Sequence, residues 1–272
     1  MKKKIILKNE ININNSIKDY SENGFCVIKN VFIESLLKSL WEYLQSKKFL
    51  TSNKNISIYY ENKENTENIR RIEGLFDSLD TVELYHQFII KVLRKIQKSP
   101  IIFKDKLNIK NPGKGSGFRA HIDGHFYFPI EDKGKLIKKE GWKCYSSNFV
   151  NVLIPLLPMN EQNGCLELAT INQTNDILGK SFKSITQKLG DEAPFVPKEL
   201  EKKFQFEKIS ADVGDLILFD WKCLHRSADN QSSKSRPAFY LTYADSCDQE
   251  IRFKYYQDKK QSKNSSDAKS LK

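Results

Sequence analysis

The sequence predicts an α+β protein in which helices come first and many short strands follow. Two apolar stripes with helical spacing occupy the N-terminal third. From about residue 100 the pattern changes to short runs rich in β-branched and aromatic residues, and Gly, Pro, Asn and Asp separate these runs. This order is typical of helices flanking a β-sandwich or an open barrel.

The individual elements follow from local patterns. Helices are predicted at residues 16–22, 32–47 and 81–98. Ser16 is a suitable N-cap for the first helix, and Pro100 ends the last. Strands are predicted at residues 24–28, 105–110, 118–128, 148–157, 164–169, 213–220 and 237–244. Residues 48–69 are rich in Asn, Lys and Glu and are predicted to be a surface excursion.

The composition predicts one domain with one hydrophobic core. Of the 272 residues, 39% are hydrophobic and 11% are aromatic, which is enough apolar material for a single sizeable core. We assign residues 16–256 to this domain and residues 1–15 to an N-terminal arm. Residues 257–272 form a low-complexity polar run and are expected to be a disordered tail.

Neither a membrane span nor a secretory signal is predicted. The longest apolar runs are much shorter than the roughly 18 residues of a spanning helix. The apolar patch after the first lysines covers only residues 5–7. The five cysteines are widely spaced and lack a CxxC motif, which favours reduced thiols over disulfides or a zinc site. We therefore expect a cytoplasmic protein without a membrane partner.

The net charge of +11 does not indicate a specific nucleic-acid site. Residues 1–10 carry four Lys and one Glu, and residues 257–272 carry five Lys and two Asp. More than half of the net charge therefore lies in the terminal segments. Lysines there favour solubility and loose contact with polyanions, but they do not form a specific groove. We expect a small-molecule substrate instead.

Three residues have the pattern of a metal site. His121 and Asp123 are two positions apart on a predicted strand, so their side chains project from the same face. His225 lies 102 residues after Asp123, beyond the end of another apolar strand. Two imidazoles and one carboxylate form the facial triad of non-haem Fe(II) oxygenases. Taken alone, His225 is better explained as a residue that caps a strand edge.

Arg236 adds an anion-binding group to this pattern. It lies 11 residues after His225, beyond a polar turn and at the start of an apolar run. A hairpin of that length can bring its guanidinium beside the metal. A buried guanidinium requires a carboxylate partner, and a bidentate pair of this kind would hold a dicarboxylic cosubstrate. The alternative is a surface Arg in a polar hairpin.

Together these residues resemble a known family. His121-x-Asp123, His225 and Arg236, with Gly-Cys-Leu-Glu at 164–167 between them, are similar to the phytanoyl-CoA dioxygenase family of Fe(II)/2-oxoglutarate-dependent oxygenases. The resemblance begins at residues 22–28, which are like the family's opening strand, and covers nearly the whole chain. It implies a double-stranded β-helix, also called a jelly roll or cupin-like fold, with flanking N-terminal helices. It also implies Fe(II), 2-oxoglutarate and O2.

The resemblance assigns roles to individual residues. His121, Asp123 and His225 would bind iron, and Arg236 would pair with the distal carboxylate of 2-oxoglutarate. Three further residues would contact or wall the cosubstrate, namely Ser227, Asn108 and Phe118. The carboxylate of Asp123 favours hydroxylation over halogenation, because related halogenases have a small residue at that position.

Two segments bear on the substrate. Residues 169–173 read Ala-Thr-Ile-Asn-Gln, where many family members have a turn like Pro-Gly-Ser-His. Substrates of well-known members therefore do not transfer to this chain. Residues 131–147 are rich in Lys and form either a lid over the site or a plain solvated loop.

Substrate contacts are predicted from strand parity. Arg119, His125 and Tyr127 share the face of His121 if the strand continues past Gly124, which could bend the chain and break the parity. Arg119, His125 and nearby lysines favour a small anionic metabolite over a fatty chain. Some members of the family that the chain resembles oxidise aminoalkylphosphonates, so the resemblance implies such a compound as one candidate. The remaining histidine, His86, is expected to face solvent at the edge of a helical stripe.

Three other functions remain open at this stage. A cupin-type metalloenzyme that does not use 2-oxoglutarate could count His125 as a third imidazole ligand, but it gives Arg236 no role. A nucleic-acid demethylase of the same superfamily would show a second Arg soon after Arg236, and residues 237–243 contain none. A non-catalytic binding protein of the same fold is the third alternative.

Overall fold

Two antiparallel sheets face each other, and helices cover the outer face of the larger sheet. The computed structural model describes residues 13–52, 56–62, 65–113, 115–132, 135–179, 187–188 and 195–261. The helices are α1 Asn14–Asn23, α2 Glu34–Gln45, α3 Lys47–Ser52, α4 Asp80–Leu93, α5 Ile171–Leu178, α6 Lys198–Glu201 and α7 Ile251–Gln261, with a 3-10 helix at Trp142–Cys144. In the part of the chain that is described, no helix is long and apolar enough to cross a lipid bilayer.

The strands form three sheets among the described residues. They are β1 Phe25–Ile28, β2 Ser57–Asn62, β3 Asn65–Glu73, β4 Pro100–Lys110, β5 Phe118–His121, β6 Phe126–Asp132, β7 Lys135–Glu140, β8 Phe149–Pro155, β9 Leu166–Leu168, β10 Gln187–Lys188, β11 Glu207–Ile209, β12 Leu216–Asp220, β13 His225–Ser227 and β14 Arg236–Asp245. The large sheet has the order β1-β12-β8-β14-β4-β3-β2, the small sheet β11-β9-β13-β5, and the third sheet β10-β6-β7.

The large sheet is buried on both faces. Its outer face carries residues such as Leu107, Ile109 and Val152, which pack against Leu37 of α2 and Ile89 of α4. Its inner face turns towards the small sheet. There, β8 and β12 pack against β9 and β11 through apolar side chains. The predicted jelly roll with flanking helices is therefore confirmed.

The inner space is apolar in one half and polar in the other. The apolar half lies between β8, β12, β9 and β11, as described above. On the inner face of β4, by contrast, Asn108 and Lys110 are buried polar residues. An aromatic cluster beside α7 occupies one end of the space, and Phe103, Trp221 and Tyr255 belong to it. The polar half therefore lies between β4 and β14 of the large sheet and β5 and β13 of the small sheet.

Residues 48–69 do not form a surface excursion as predicted. Those that the structure describes form most of α3, then β2 and the start of β3, and the hairpin extends the large sheet; residues 53–55 and 63–64 lie outside the description. Ile58 and Ile69 alternate with polar residues and pack on the helical side of the sheet. Single apolar residues on an edge strand give a weak signal because only one face needs to be apolar.

Helix ends differ from the prediction at several positions. The first helix begins at Asn14, so Ser16 lies inside it and Ile13 is the N-cap. The helix predicted over 32–47 is shorter, and α3 follows it as a separate helix. The third helix ends at Leu93, earlier than predicted, and Pro100 opens β4.

The predicted strand at 118–128 is interrupted. It divides into β5 and β6, and Gly124 between them has a φ of +72°. A Cβ atom at Gly124 would lie 2.7 Å from Trp142, so the chain turns where only glycine fits. Residues 131–147 are not a plain loop, because they hold the end of β6, β7 and the 3-10 helix; residues 133–134 lie outside the description.

The chain ends also differ from the predicted boundaries. Residues 257–261 belong to α7 rather than to a disordered tail, and the carboxylate of Asp258 accepts hydrogen bonds from Lys139 and Tyr145. Residues 262–272 and residues 1–12 lie outside the described part of the chain. The limits of the single domain otherwise stay a prediction.

Candidate metal centre and active site

Strand pairing brings the two predicted imidazole ligands together. His225 on β13 is the direct partner of His121 on β5, and their ring centroids are 4.2 Å apart. Asp123 follows β5 by two residues. Its carboxylate oxygens lie 4.0 Å from Nε2 of His121 and 3.7 Å from Nε2 of His225. Among the described residues, these three form the group whose donor atoms could hold a metal ion.

Backbone carbonyls orient both imidazoles. Nδ1 of His121 lies 2.7 Å from the carbonyl oxygen of Arg119, and Nδ1 of His225 lies 3.0 Å from that of Cys223. Because a carbonyl oxygen only accepts hydrogen bonds, each Nδ1 carries the proton and each Nε2 keeps its lone pair. This is the arrangement in which imidazoles bind metals through Nε2.

A buried polar pair holds the carboxylate of Asp123. The amide nitrogen of Asn151 on β8 donates to Oδ2 of Asp123 over 2.8 Å. The hydroxyl of Thr242 on β14 donates to Oδ1 of Asn151, also over 2.8 Å. This second bond fixes which end of the amide faces Asp123. The sequence alone did not identify Asn151 and Thr242 as partners of Asp123, because their pairing depends on the register of the sheet.

Electrostatics keep His121 and Asp123 in their metal-binding forms. Burial, followed by repulsion from His225, lowers the pKa of His121 to about 3, so the imidazole is neutral at pH 7. Burial raises the pKa of Asp123, but attraction from His225, Lys106 and His121 outweighs it and the pKa is lowered overall. Asp123 is therefore ionised at neutral pH.

The donor set fits a divalent transition metal such as Fe(II). Metal–nitrogen bonds of about 2.1 Å place adjacent ligands of an octahedral ion about 3 Å apart. The observed separations of 3.7 and 4.0 Å need to shorten by roughly 1 Å or less to reach that geometry. Two imidazoles and a carboxylate on one face would leave the opposite positions open for other ligands.

Arg236 is buried on the inner face of β14. It is 1% exposed, and its Nη2 donates to the carbonyl oxygen of Gly164 over 3.0 Å. Its Nη1 lies 3.5 Å from the hydroxyl of Tyr240. Its Nε has no hydrogen-bond partner among the described residues. The alternative of a surface Arg is thus wrong.

A second buried cation, which the sequence analysis missed, lies beside Arg236. Lys110 on β4 is its direct strand partner and is 2% exposed. Its Nζ donates to Oγ of Ser227 over 2.9 Å, to the carbonyl of Gly164 over 3.1 Å and to the carbonyl of Ala228. Burial, followed by repulsion from Arg236 and Arg70, lowers the pKa of Lys110 to about 6.

Lys110 and Arg236 together are suited to binding an anion, because a bound anion would favour the protonated form of Lys110. The ion pairs found among the described residues include neither Lys110 nor Arg236, although both are nearly fully buried. Two adjacent buried cations without a carboxylate are unfavourable unless an anion binds them. The sequence did offer one signal for Lys110, because it lies two residues after Asn108 and therefore on the same face of the strand.

The other predicted cosubstrate residues surround this site. Asn108 is buried on β4, between Arg71 and Ala238 in register. Ser227 pairs with Phe118 across β13 and β5, so both lie next to the strand positions of the two imidazoles. The structure therefore groups Asn108, Ser227 and Phe118 with the cation pair, and their roles in binding stay predictions.

The predicted substrate residues are not grouped in the same way. Arg119 is exposed, and its guanidinium lies 4.4 Å from the ring of Phe195. His125 is buried and stacks on Trp221 at 5.5 Å, because the turn at Gly124 ends the strand parity. Burial, followed by repulsion from Lys143, lowers the pKa of His125 to about 4.

The environments of Tyr127 and His86 were also predicted. The backbone of Tyr127 lies on β6, but its side chain is outside the description. His86 does not simply face solvent as expected. It is half-buried, its Nδ1 lies 2.9 Å from the hydroxyl of Tyr243, and the two rings stack with an interplanar angle of 10°.

Comparison with known proteins gives a consistent result. A model of the phytanoyl-CoA dioxygenase (PhyH) family matches residues 20–238. The 2-aminoethylphosphonate dioxygenase of the uncultured bacterium HF130_AEPn_1 is 25% identical over 248 residues, which are 89% of this chain and 85% of that protein. The methylphosphonate hydroxylase of Gimesia maris is 25% identical over 162 residues, 60% of this chain and 52% of that protein.

Solved structures show the same fold at low identity. The structure of EctD from S. alaskensis with bound Fe has a TM-score of 0.61 at 15% identity, covering 88% of this chain and 81% of that one. The same protein with 2-oxoglutarate and 5-hydroxyectoine gives 0.59. The family match spans the three clustered donors and both members of the cation pair, and the chain belongs to the phytanoyl-CoA dioxygenase (PhyH) family.

Proposed function

We propose that this protein is an Fe(II)- and 2-oxoglutarate-dependent dioxygenase that hydroxylates a C–H bond of a small anionic metabolite. One observation carries the proposal. The inner space contains both a His-Asp-His donor group and a buried pair of cations, Lys110 and Arg236, for which no carboxylate partner is found among the described residues. A metal site alone would not need the cation pair, whereas binding of a dicarboxylic cosubstrate needs both the metal site and the cation pair.

The residues of the chain then have distinct roles. His121, Asp123 and His225 would hold the iron, which, when bound with 2-oxoglutarate, supplies the activation of O2 and yields succinate and CO2. Arg236, Lys110 and the hydroxyl of Ser227 would hold the distal carboxylate through charge-assisted hydrogen bonds. The apolar packing between the sheets excludes water around these charges, which strengthens the interaction.

The substrate class is supported by two relatives. They are named as a 2-aminoethylphosphonate dioxygenase and a methylphosphonate hydroxylase, so small organophosphonates are the first compounds to test. A cupin-type enzyme that does not use 2-oxoglutarate, which remained open from the sequence, gives Lys110 and Arg236 no ligand.

Succinate formation tests this function. Apo-protein is loaded with Fe(II) under anaerobic conditions, mixed with 2-oxoglutarate and a candidate metabolite, and exposed to O2. We expect succinate release that depends on iron and is stimulated by the substrate. Arg236→Leu should raise the KM for 2-oxoglutarate, and Arg94→Leu, an exposed position at the end of α4, serves as the matched control.

Two results would contradict the proposal. Product formation at the same rate without 2-oxoglutarate would favour a cupin-type enzyme. Failure of the iron-loaded protein to bind 2-oxoglutarate would favour a non-catalytic binding protein of this fold.

A further inference from the structure

A single carboxylate on β2 holds the residues that lead into β5. Oε1 of Glu61 accepts hydrogen bonds from the backbone N–H of Ser116 over 2.9 Å, from the hydroxyl of Ser116 over 2.7 Å and from Nη1 of Arg70 over 2.7 Å. On the other side, the N–H of Asn230 donates to the carbonyl oxygen of Gly115 over 2.9 Å. The start of β5 is therefore fixed between the hairpin of β2 and β3 and the turn that follows β13.

Arg70 connects this carboxylate to the ring of Phe118. Arg70 is 5% exposed, and its guanidinium carbon lies 4.7 Å from the centre of the Phe118 ring. An aromatic ring attracts a cation at this distance, and the attraction is stronger where water is excluded. Arg70 therefore holds the Phe118 ring in place, and Glu61 in turn holds Arg70.

Phe118 lies beside both groups that would hold 2-oxoglutarate. Its ring centre is 6.4 Å from that of His121. It is also the direct strand partner of Ser227, whose hydroxyl accepts a hydrogen bond from Lys110, and paired residues of neighbouring strands lie on the same face. A 2-oxoglutarate molecule that spanned the metal and the cation pair would therefore run past the Phe118 ring.

Stability alone gives a poor explanation of the ion pair between Glu61 and Arg70. The two side chains are only 13% and 6% exposed. Oε2 of Glu61 and Nε of Arg70 are buried and have no hydrogen-bond partner among the described residues. Burial of an ion pair commonly cancels most of its Coulombic gain, and each unmet polar group adds a further cost. The pair is better explained by the position that it imposes on its neighbours.

We propose that Arg70 and Glu61 are positioning residues for 2-oxoglutarate, because Arg70, held by Glu61, keeps the Phe118 ring where it packs against the bound cosubstrate. The inference rests on the proposed function and adds two residues to it. The guanidinium of Arg70 is already bound to a carboxylate of the protein, so it is suited to holding the ring rather than to binding a ligand carboxylate itself.

Calorimetric titration of the iron-loaded protein with 2-oxoglutarate, in the absence of O2, measures the effect. Arg70→Met removes the guanidinium and keeps an apolar chain, and we expect 2-oxoglutarate to bind about tenfold more weakly. Glu61→Gln keeps an oxygen acceptor and loses the charge, and we expect about threefold weaker binding. The matched controls are Arg94→Met, exposed at the end of α4, and Glu199→Gln, in an exposed ion pair with Lys202. Both controls should bind like the wild type.

A double-mutant cycle separates positioning from direct attraction between charges. If Arg70 acts through the ring, Arg70→Met should change the affinity for 2-oxoglutarate by less than about twofold once Phe118 has been replaced by Leu. If the charge of Arg70 attracted the anionic cosubstrate directly, Arg70→Met would weaken binding equally with Phe118 and with Leu at that position. That second result would overturn the proposal.

Titration with Fe(II) and thermal denaturation test for a general loss of structure. The group of candidate metal ligands contains neither Arg70 nor Glu61, so both variants should keep the wild-type affinity for Fe(II). A parallel loss of iron affinity would indicate a structural role only and would overturn the proposal. If Arg70→Met does not fold, Glu61→Gln completes the same cycle with Phe118→Leu.

Binding of 2-oxoglutarate to the wild-type protein and to Arg236→Leu separates this inference from the proposed function. Absence of binding to the wild-type protein would overturn both. If Arg236→Leu weakens binding while Arg70→Met and Glu61→Gln leave it unchanged, the proposed function stands and only the positioning role is wrong.

Discussion

Replacing Asn151 by Leu tests how the chain holds the carboxylate of Asp123. The amide nitrogen of Asn151 donates to Oδ2 over 2.8 Å, which is the length of a charge-assisted hydrogen bond. Leu has nearly the shape of Asn but no donor. The variant therefore loses the bond with little change in packing, and we expect Fe(II) to bind more weakly because the carboxylate is less well oriented.

The structure sets the size of this effect. A hydrogen bond to a charged group contributes about 1.5–3 kcal/mol, and the loss of such a partner commonly lowers metal affinity about 10- to 100-fold. Thr242 acts one bond further away, through a neutral contact of 2.8 Å with Asn151. Loss of this hydrogen bond in Thr242→Val should weaken the free energy of metal binding by about 1 kcal/mol, which lowers metal affinity roughly fivefold.

Anaerobic titration of the apo-protein with Fe(II) or Co(II) measures these affinities, and the visible spectrum of the Co(II) form reports the coordination directly. Thr242→Ser keeps the hydroxyl and should bind metal like the wild type. If Asn151→Leu bound metal with wild-type affinity and an unchanged Co(II) spectrum, the carboxylate would not depend on this bond. If Thr242→Val lowered metal affinity more than Asn151→Leu, the order in which Thr242 orients Asn151 and Asn151 orients Asp123 would be wrong.

Three further predictions follow from the charges of the protein. Without ligand the pKa of Lys110 is about 6, and a bound carboxylate raises it. The affinity for 2-oxoglutarate is therefore greatest below pH 6 and falls up to about tenfold per pH unit above it. Calorimetry at several pH values measures this dependence, and Lys110→Met should not show it. Asp123→Ala should abolish iron-dependent succinate formation, and unchanged activity would contradict the ligand assignment. Asp258→Ala leaves the hydroxyl of Tyr145 without its buried acceptor and should lower the Tm by several degrees, for a loss of about 1–3 kcal/mol, in thermal denaturation.

The grouping of the three candidate metal ligands was predictable because it depends on local geometry. His121 and Asp123 are two residues apart, and the alternation of a strand puts both side chains on one face. His225 and Arg236 follow a strong apolar strand and a polar turn, which mark the end of one strand and the start of the next. The predicted grouping needed only that these strands belong to the same barrel.

Residues that depend on strand register were not predictable in the same way. Lys110 faces Arg236, and Asn151 faces Thr242, across pairs of strands that are distant in sequence. A shift of one residue would turn either side chain to the opposite face of the sheet. Apolar alternation locates a strand, but it does not say which residue of another strand lies beside it.

The wrong predictions have local physical causes. Parity failed for His125 because Gly124 adopts a positive φ and turns the chain before the next strand. The hairpin of β2 and β3 was missed because its outer edge needs few apolar residues. Lys139 and Asp258 join the segment for which a lid and a solvated loop were both open to the segment predicted to be a disordered tail, and no pattern within either segment shows that they meet.

The side chains of β4 alternate between the hydrophobic core under the helices and the inner space that holds the site. Its outward residues Leu107 and Ile109 pack under the helices, and the residues between them supply the polar side chains of the inner space. Because β14 and β3 pair with β4 on its two sides, a change of register would bury lysines among the helices at a large energetic cost. The packing that stabilises the fold therefore also fixes where Asn108 and Lys110 lie relative to Arg236 on β14, so these side chains cannot shift independently of the core.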